Sequence, residues 1–298
     1  MMKPLYLIRP VRPCPLETVE LVYESSLDQP LPEDLQNRQT RWHRLNAERK
    51  NSGKPVLQDL PLFRPGVPRG SDSRIQIPCG ITSYRVTTLL TSPCHRWENS
   101  YTGAGLSIVP VCADNHILIG RRSGIVDREP GLYHVAAGHA HPDDHFPDRP
   151  ARLTEAVLQE LKEEMAVTYR DIEQMEFLGT GLNCHTSKTE FLSRVRLKET
   201  SAVYIRRWQE KTVETEWNEF ENILALCNDR WVSARRGHAE NDPSTKTEAS
   251  GHSVGTAGIK EQSFTLTTET PGRIHDLGIN QCTIACRMVL EAHRNACG

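Results

Sequence analysis

The chain has 298 residues, with 36 Lys and Arg against 38 Asp and Glu, for a formal net charge of −2. That balance excludes a protein built mainly to neutralise nucleic-acid phosphates, and no apolar run approaches the ~18 residues of a membrane-crossing helix. Hydrophobic residues make up 37% of the chain, below the roughly 45–50% of an average globular domain, so part of it is expected to be loop.

The start, Met1 to Pro10, has too short an apolar run for a secretory signal. Nine cysteines are scattered with no CxxC pair. That pattern favours free thiols in a reducing compartment, and a cytoplasmic location is expected. The first hundred residues read as an irregular N-terminal α+β part. Prolines punctuate its start, and a polar helix spans about Glu33 to Lys50, with Leu35, Trp42 and Leu45 able to face a core. Ile75 and Ile77 alternate as in a strand. Pro78 and Gly80 then interrupt the run, and Tyr84 and Val86 alternate again.

The pattern sharpens after Tyr101. Gly103 to Cys112 and His116 to Arg121 are apolar strands around the turn signal Ala113-Asp114-Asn115. Gly131 to Ala137 is a third short strand, followed by a loop to Pro150. Ala151 to Met165 is the clearest helix, with Asp148 and Pro150 as start signals. Strands follow near Met175–Leu182 and Thr189–Leu197, then helices at Trp217 to Leu226 and Asn280 to Arg294. Gly237 to Gln262 has almost no large apolar residue. It cannot offset its own ordering entropy by burial and reads as a mobile insert. Two parts result: an N-terminal region, 1–100, and a larger domain, 101–298, with the insert 237–262 inside it.

The helix carries the chemistry. At 100° per residue, Glu160, Glu163 and Glu164 share one sector, while Leu158, Leu161 and Met165 share another. Like charges at this spacing repel by a few tenths of a kcal/mol per pair (roughly). A hard divalent cation would reverse that sign. A solvated acidic face is the competing reading. What weighs against it is the layout before the helix: a strand, then Gly138-His139-Ala140-His141-Pro142. Strand, glycine loop and acidic helix can bring a backbone carbonyl and several carboxylates to one cation.

These residues resemble the Nudix hydrolase family, whose consensus is G-x5-E-x7-R-E-U-x-E-E-x-G-U, with U a bulky aliphatic residue. Gly138 matches the opening glycine, Asp144 stands where the first Glu is expected, and Gln159 to Val167 matches the second half. Three positions depart. Gly138 and Gln159 are 21 positions apart where the consensus has 14, Gln159 replaces an Arg, and Ala166 replaces the second glycine. The stretches Tyr101 to Arg122 and Pro130 to Pro142 look like the animal UDP-sugar pyrophosphatase type within that family.

The resemblance implies an α/β/α sandwich with a mixed sheet and a metal-dependent pyrophosphohydrolase. Glu160, Glu163, Glu164 and the Gly138 carbonyl would be metal ligands, for Mg2+ with Mn2+ as the alternative. Glu160, then Glu164, is the candidate base. A UDP-sugar would yield UMP and a sugar 1-phosphate. ADP-ribose, a dinucleotide, or a Nudix-like binding module without turnover are the alternatives. Arg121, Arg122, His139, His141 and Lys188 are candidate substrate contacts, each also readable as an ordinary surface side chain. The expected partner is a small nucleotide, with neither nucleic acid nor membrane.

Overall fold

The computed structural model describes residues 6–28, 35–71, 74–89, 102–126, 129–142, 146, 148–212, 219–227 and 282–297. The expected insert 237–262, Asp144 and Trp217 lie outside them.

A mixed eight-stranded sheet runs through the centre. Its strands are β1 (Tyr6–Pro15), β6 (Ala104–Val111), β7 (His116–Arg122), β8 (Tyr133–His134), β9 (Ala136–His139), β10 (Ile172–Asn183), β11 (Thr189–Leu197) and β12 (Phe220–Cys227). The main order is β1-β10-β11-β6-β7-β12. The β11–β6 pair is parallel, and Glu190 stands opposite Gly105. Near-continuous apolar runs in the central strands follow from burial on both faces. Ile108, Phe177 and Phe191 enter one core, and their chain neighbours Val109, Leu178 and Leu192 enter the other.

Helices cover both faces, making an α/β/α sandwich. On the first face lie α3 (Leu153–Met165) and α4 (Ser201–Thr212). The buried residues of α3 are Leu153, Val157, Leu161 and Met165, an i, i+4 stripe that holds one side of the helix on the sheet. Tyr204 and Trp208 do the same for α4. The final helix, here α5 (Ile284–Cys297), covers the second face with Cys286, Met288, Val289 and Leu290. Its start is capped by the Thr283 hydroxyl, which accepts from the Cys286 N–H at 3.1 Å. None of the helices in the described residues is long and apolar enough to cross a membrane.

The N-terminal third is more ordered than its prolines suggest. Helix α1 (Leu35–Asn51) forms, and its Trp42 is buried. A second sheet pairs β2 (Val19–Tyr23), β3 (Pro61–Pro65) and β4 (Arg69–Ser71) with β5 (Arg74–Ser83). Pro78 and Gly80 do not interrupt β5, which runs ten residues through both. Pro78 lacks an N–H, but its carbonyl still accepts from Gly66 N–H at 2.7 Å. Tyr84 and Val86 are not strand residues. They belong to α2 (Tyr84–Leu89), where the Ser83 hydroxyl accepts from Val86 N–H at 3.2 Å as an N-cap. The boundary expected at residue 100 does not separate the sheets. β1 is an edge of the large one, paired with β10 from Tyr6↔Asn183 to Pro15↔Glu176. Gly179, at φ +133° beside the Arg9 carbonyl, borders a bulge in the β10–β11 pairing, and next to it the β1–β10 register shifts between Pro10 and Cys14.

A further correction concerns Trp217 to Leu226. Residues 220–227 form strand β12, antiparallel to β7. Phe220, Ile223 and Leu226 imitate a helical repeat. The register shifts between Phe220 and Asn222, so Phe220 and Ile223 enter one core while Leu226 enters the other. A bulge had disguised the period of two.

Candidate active site

The site arises where the sheet forks. β6 and β7 pair only at Val111↔Ile117 and then diverge. The expected single strand Gly131 to Ala137 is split between them: β8 pairs with β7, and β9 pairs with β6. The turn expected at residues 113–115 starts the fork, with Asn115 at φ +57°.

Helix α3 delivers two carboxylates to β9. Glu164 Oε2 accepts the Ala137 N–H at 2.8 Å. Glu160 accepts the His139 N–H. Residues 137 and 139 alternate along the strand and Glu160 and Glu164 are one helical turn apart, so two regular periodicities meet. Gly138 lies between the two donors, and a Cβ there would overlap the Glu160 carboxylate. A side chain at 138 would have to displace that carboxylate.

A third carboxylate, Glu219, comes from the residue before β12. It pairs with the Arg122 guanidinium at the end of β7. The Glu164 and Glu219 carboxyls also come into hydrogen-bonding contact. Such a contact needs a proton on one of them or a cation between them. Burial raises the pKa of Glu160 to about 7, and the charges of Glu163 and Glu219 add to the effect. Burial also pushes Glu164 well above the ordinary range, with Glu219 and Glu160 adding to it. The Glu164 Oε1 is sealed from solvent and no donor reaches it.

The remaining candidates sort by position. Glu163 is exposed, and its Oε1 accepts from Gln159 Nε2 at 2.9 Å. Gln159 thus bonds a carboxylate without contributing charge. Arg121 is paired with Glu221 at 2.8 Å on the surface. The His139 ring is edge-on to Tyr84, centroids 5.3 Å apart, and His141 Nδ1 is 2.9 Å from the Pro61 carbonyl. Both contacts bring the N-terminal sheet and α2 up to the site. Lys188, in the β10–β11 turn, lies 3.1 Å from Glu190 and partly offsets the raised pKa of Glu160. Helix α3 ends in Ala166 at φ +56°, the left-handed position where glycine is preferred.

Glu219 and Glu190 were not among the sequence-level candidates. Glu190 leaves a trace, as a lone acid entering an apolar central strand. Glu219 leaves none, because only the β12–β7 pairing brings it to Glu164.

The donor set is all oxygen and strongly anionic, which suits a hard divalent cation such as Mg2+ rather than a soft one. The fit is one of charge and donor type. Among the described residues no three His, Cys, Asp or Glu side chains already converge as a metal-binding group.

No protein-family model matches the sequence, and no curated protein matches it. Solved structures overlap it in part. A Deinococcus radiodurans protein shares 14% identity at a TM-score of 0.31, covering 45% of this chain and 72% of that one. A Nudix hydrolase of M. smegmatis shares 12% identity at a TM-score of 0.26, covering 48% and 88%. An Ap4A hydrolase of C. elegans shares 12% identity at a TM-score of 0.26, covering 45% and 90%. Overlaps this partial do not assign the chain to a family.

Proposed function

We propose that this chain is a Nudix-type, divalent-metal-dependent hydrolase. It cleaves the pyrophosphate of a nucleoside diphosphate joined to another moiety, with a UDP-sugar as the preferred substrate class. The observation that carries this reading is the pair Glu160 and Glu164, bound to the alternate N–H groups of His139 and Ala137 around Gly138. A surface acidic face would not bury two like charges against a strand and a third carboxylate. The cost of that arrangement makes sense if a cation is its partner.

Glu160, Glu164 and Glu219 would hold the cation, with Glu163 at the exposed margin and the Gly138 carbonyl as a further oxygen. When bound, the ion supplies positive charge for the diphosphate and acidifies a water. Glu160, with Glu164 second, would be the carboxylate to accept that water's proton, the cation beside it holding the carboxyl ionised. Lys188 faces the same charge from the opposite strand turn. Arg121 and Arg122 are committed to Glu221 and Glu219, so phosphate binding by either requires release of its partner. The products would be two monophosphates, UMP and a sugar 1-phosphate for a UDP-sugar.

The test is incubation of the purified chain with Mg2+ and a panel of UDP-sugars, ADP-ribose and dinucleotides, assayed for nucleoside monophosphate. Release from a UDP-sugar supports the reading in full. Release only from ADP-ribose or a dinucleotide keeps the reaction and replaces the substrate. Binding of panel members without any release overturns the enzymatic reading in favour of a binding module.

A further inference from the structure

Glu190 is a buried acid near the start of β11, in the parallel pair with β6, with Phe191 and Leu192 beside it in the two cores. A second buried ion pair, Arg194 with Glu176, lies further along the same strand. Glu190 is 2% exposed. Its Oε1 lies 3.1 Å from Lys188 Nζ, and its Oε2 accepts from the Ser107 hydroxyl at 3.3 Å. A buried ion pair of this kind is weak evidence for stability, because desolvation offsets much of the attraction. Its value must lie in where it puts the charge.

The surroundings fix that place. Gly105, the register partner of both Glu190 and His139, has no side chain, and a Cβ there would crowd the Glu190 carboxylate and the Lys188 ammonium. The two groups therefore rest on bare backbone. The Lys188 main chain is also held. Ser187 adopts φ +60° and its carbonyl accepts from the buried Thr102 hydroxyl at 2.5 Å. The Lys188 carbonyl accepts from Asn183 N–H at 2.9 Å. A lysine ordinarily carries its charge on a mobile stem. Here both ends of the stem are fixed, close enough to Glu160 for its charge to be felt there.

We propose that Glu190, seated over Gly105, is a positioning residue that presents the Lys188 ammonium to the phosphate groups of the substrate. This inference rests on the phosphate-bearing substrate proposed above. Lys188 keeps its bond to Glu190 and uses a remaining N–H for a phosphate oxygen. No covalent step is involved.

A double-mutant cycle tests it. Binding of inorganic pyrophosphate with Mg2+ is measured by calorimetry for the full chain, Glu190→Gln, Lys188→Met and the double variant. Each single change is expected to weaken binding about tenfold, with the double variant no weaker than Lys188→Met alone. Additive losses, an unchanged Glu190→Gln, or no pyrophosphate binding by the unaltered chain would each overturn the proposal. If Glu190→Gln does not fold, Gly105→Ala displaces the Glu190 carboxylate and the Lys188 ammonium from their seat with both charges still present. Weakened binding there supports the proposal and unchanged binding overturns it. Should every nucleotide resist hydrolysis while pyrophosphate binding still depends jointly on both residues, the enzymatic reading fails and this one stands.

Discussion

The Ala137 N–H donates to Glu164 Oε2 at 2.8 Å, tying the last turn of α3 to the short strand β9. The bond satisfies one carboxylate oxygen and leaves the other sealed without a donor. That imbalance between a half-satisfied carboxylate and its acidic neighbours leads to the first two predictions.

Glu164→Gln keeps the acceptor for Ala137 and removes a buried charge. Without metal at pH 8 the variant is expected to melt no lower than the unaltered protein. Its Mg2+-dependent rise in Tm is expected to vanish, and hydrolysis to fall by about 100-fold or more, the scale for losing one preorganised electrostatic group. Melting scans with EDTA and with Mg2+ check this. A Mg2+ response that survives would place the cation elsewhere.

The pH dependence has a definite sign. The Glu160 carboxyl has a folded pKa of about 7 against an ordinary 4.5. Between those values the folded state holds more protons than the unfolded state, so this group's contribution to stability falls as pH rises from about 4.5 to about 7. Bound Mg2+ favours the ionised form, so its stabilising effect is expected to be larger at pH 8 than at pH 5. Thermal melts across that range, with and without Mg2+, measure both trends. A metal-free stability that rose steadily through the window would contradict the burial of Glu160.

Arg122→Ala leaves Glu219 without its cation beside Glu164. The Arg122 side chain is 13% exposed and that of Glu219 36%, between a surface pair and a buried one. A loss of about 2 kcal/mol is expected in urea unfolding. Adding Glu219→Gln should recover part of it, because the orphaned charge goes too. If the double change is as damaging as the sum of both singles, Arg122 acts mainly by packing.

Ala166→Gly addresses the end of α3. Ala166 takes φ +56°, a left-handed conformation that costs a residue with a Cβ roughly 1–2 kcal/mol. Glycine's greater freedom in the unfolded chain offsets part of that gain. A net stabilisation of about 0.5–1 kcal/mol is expected by chemical denaturation. A loss of stability would show that the Ala166 methyl makes packing contacts worth more than the strain.

Elements whose period is local could be read from the chain. The stripe Leu153, Val157, Leu161 and Met165 defines α3 by itself, and the apolar runs at 104–111 and 189–197 define two central strands. The same helical period puts Glu160 and Glu164 on one side. Long-range pairing decided the rest. Only β12 against β7 carries Glu219 to Glu164, and a bulge hides that strand's alternation from the sequence. β10 takes β1 as its edge although some 160 residues separate them. Local pattern specifies which face of a segment avoids water. It does not specify which distant segment will supply the missing hydrogen bonds, and in this chain that choice determines which carboxylates share a site.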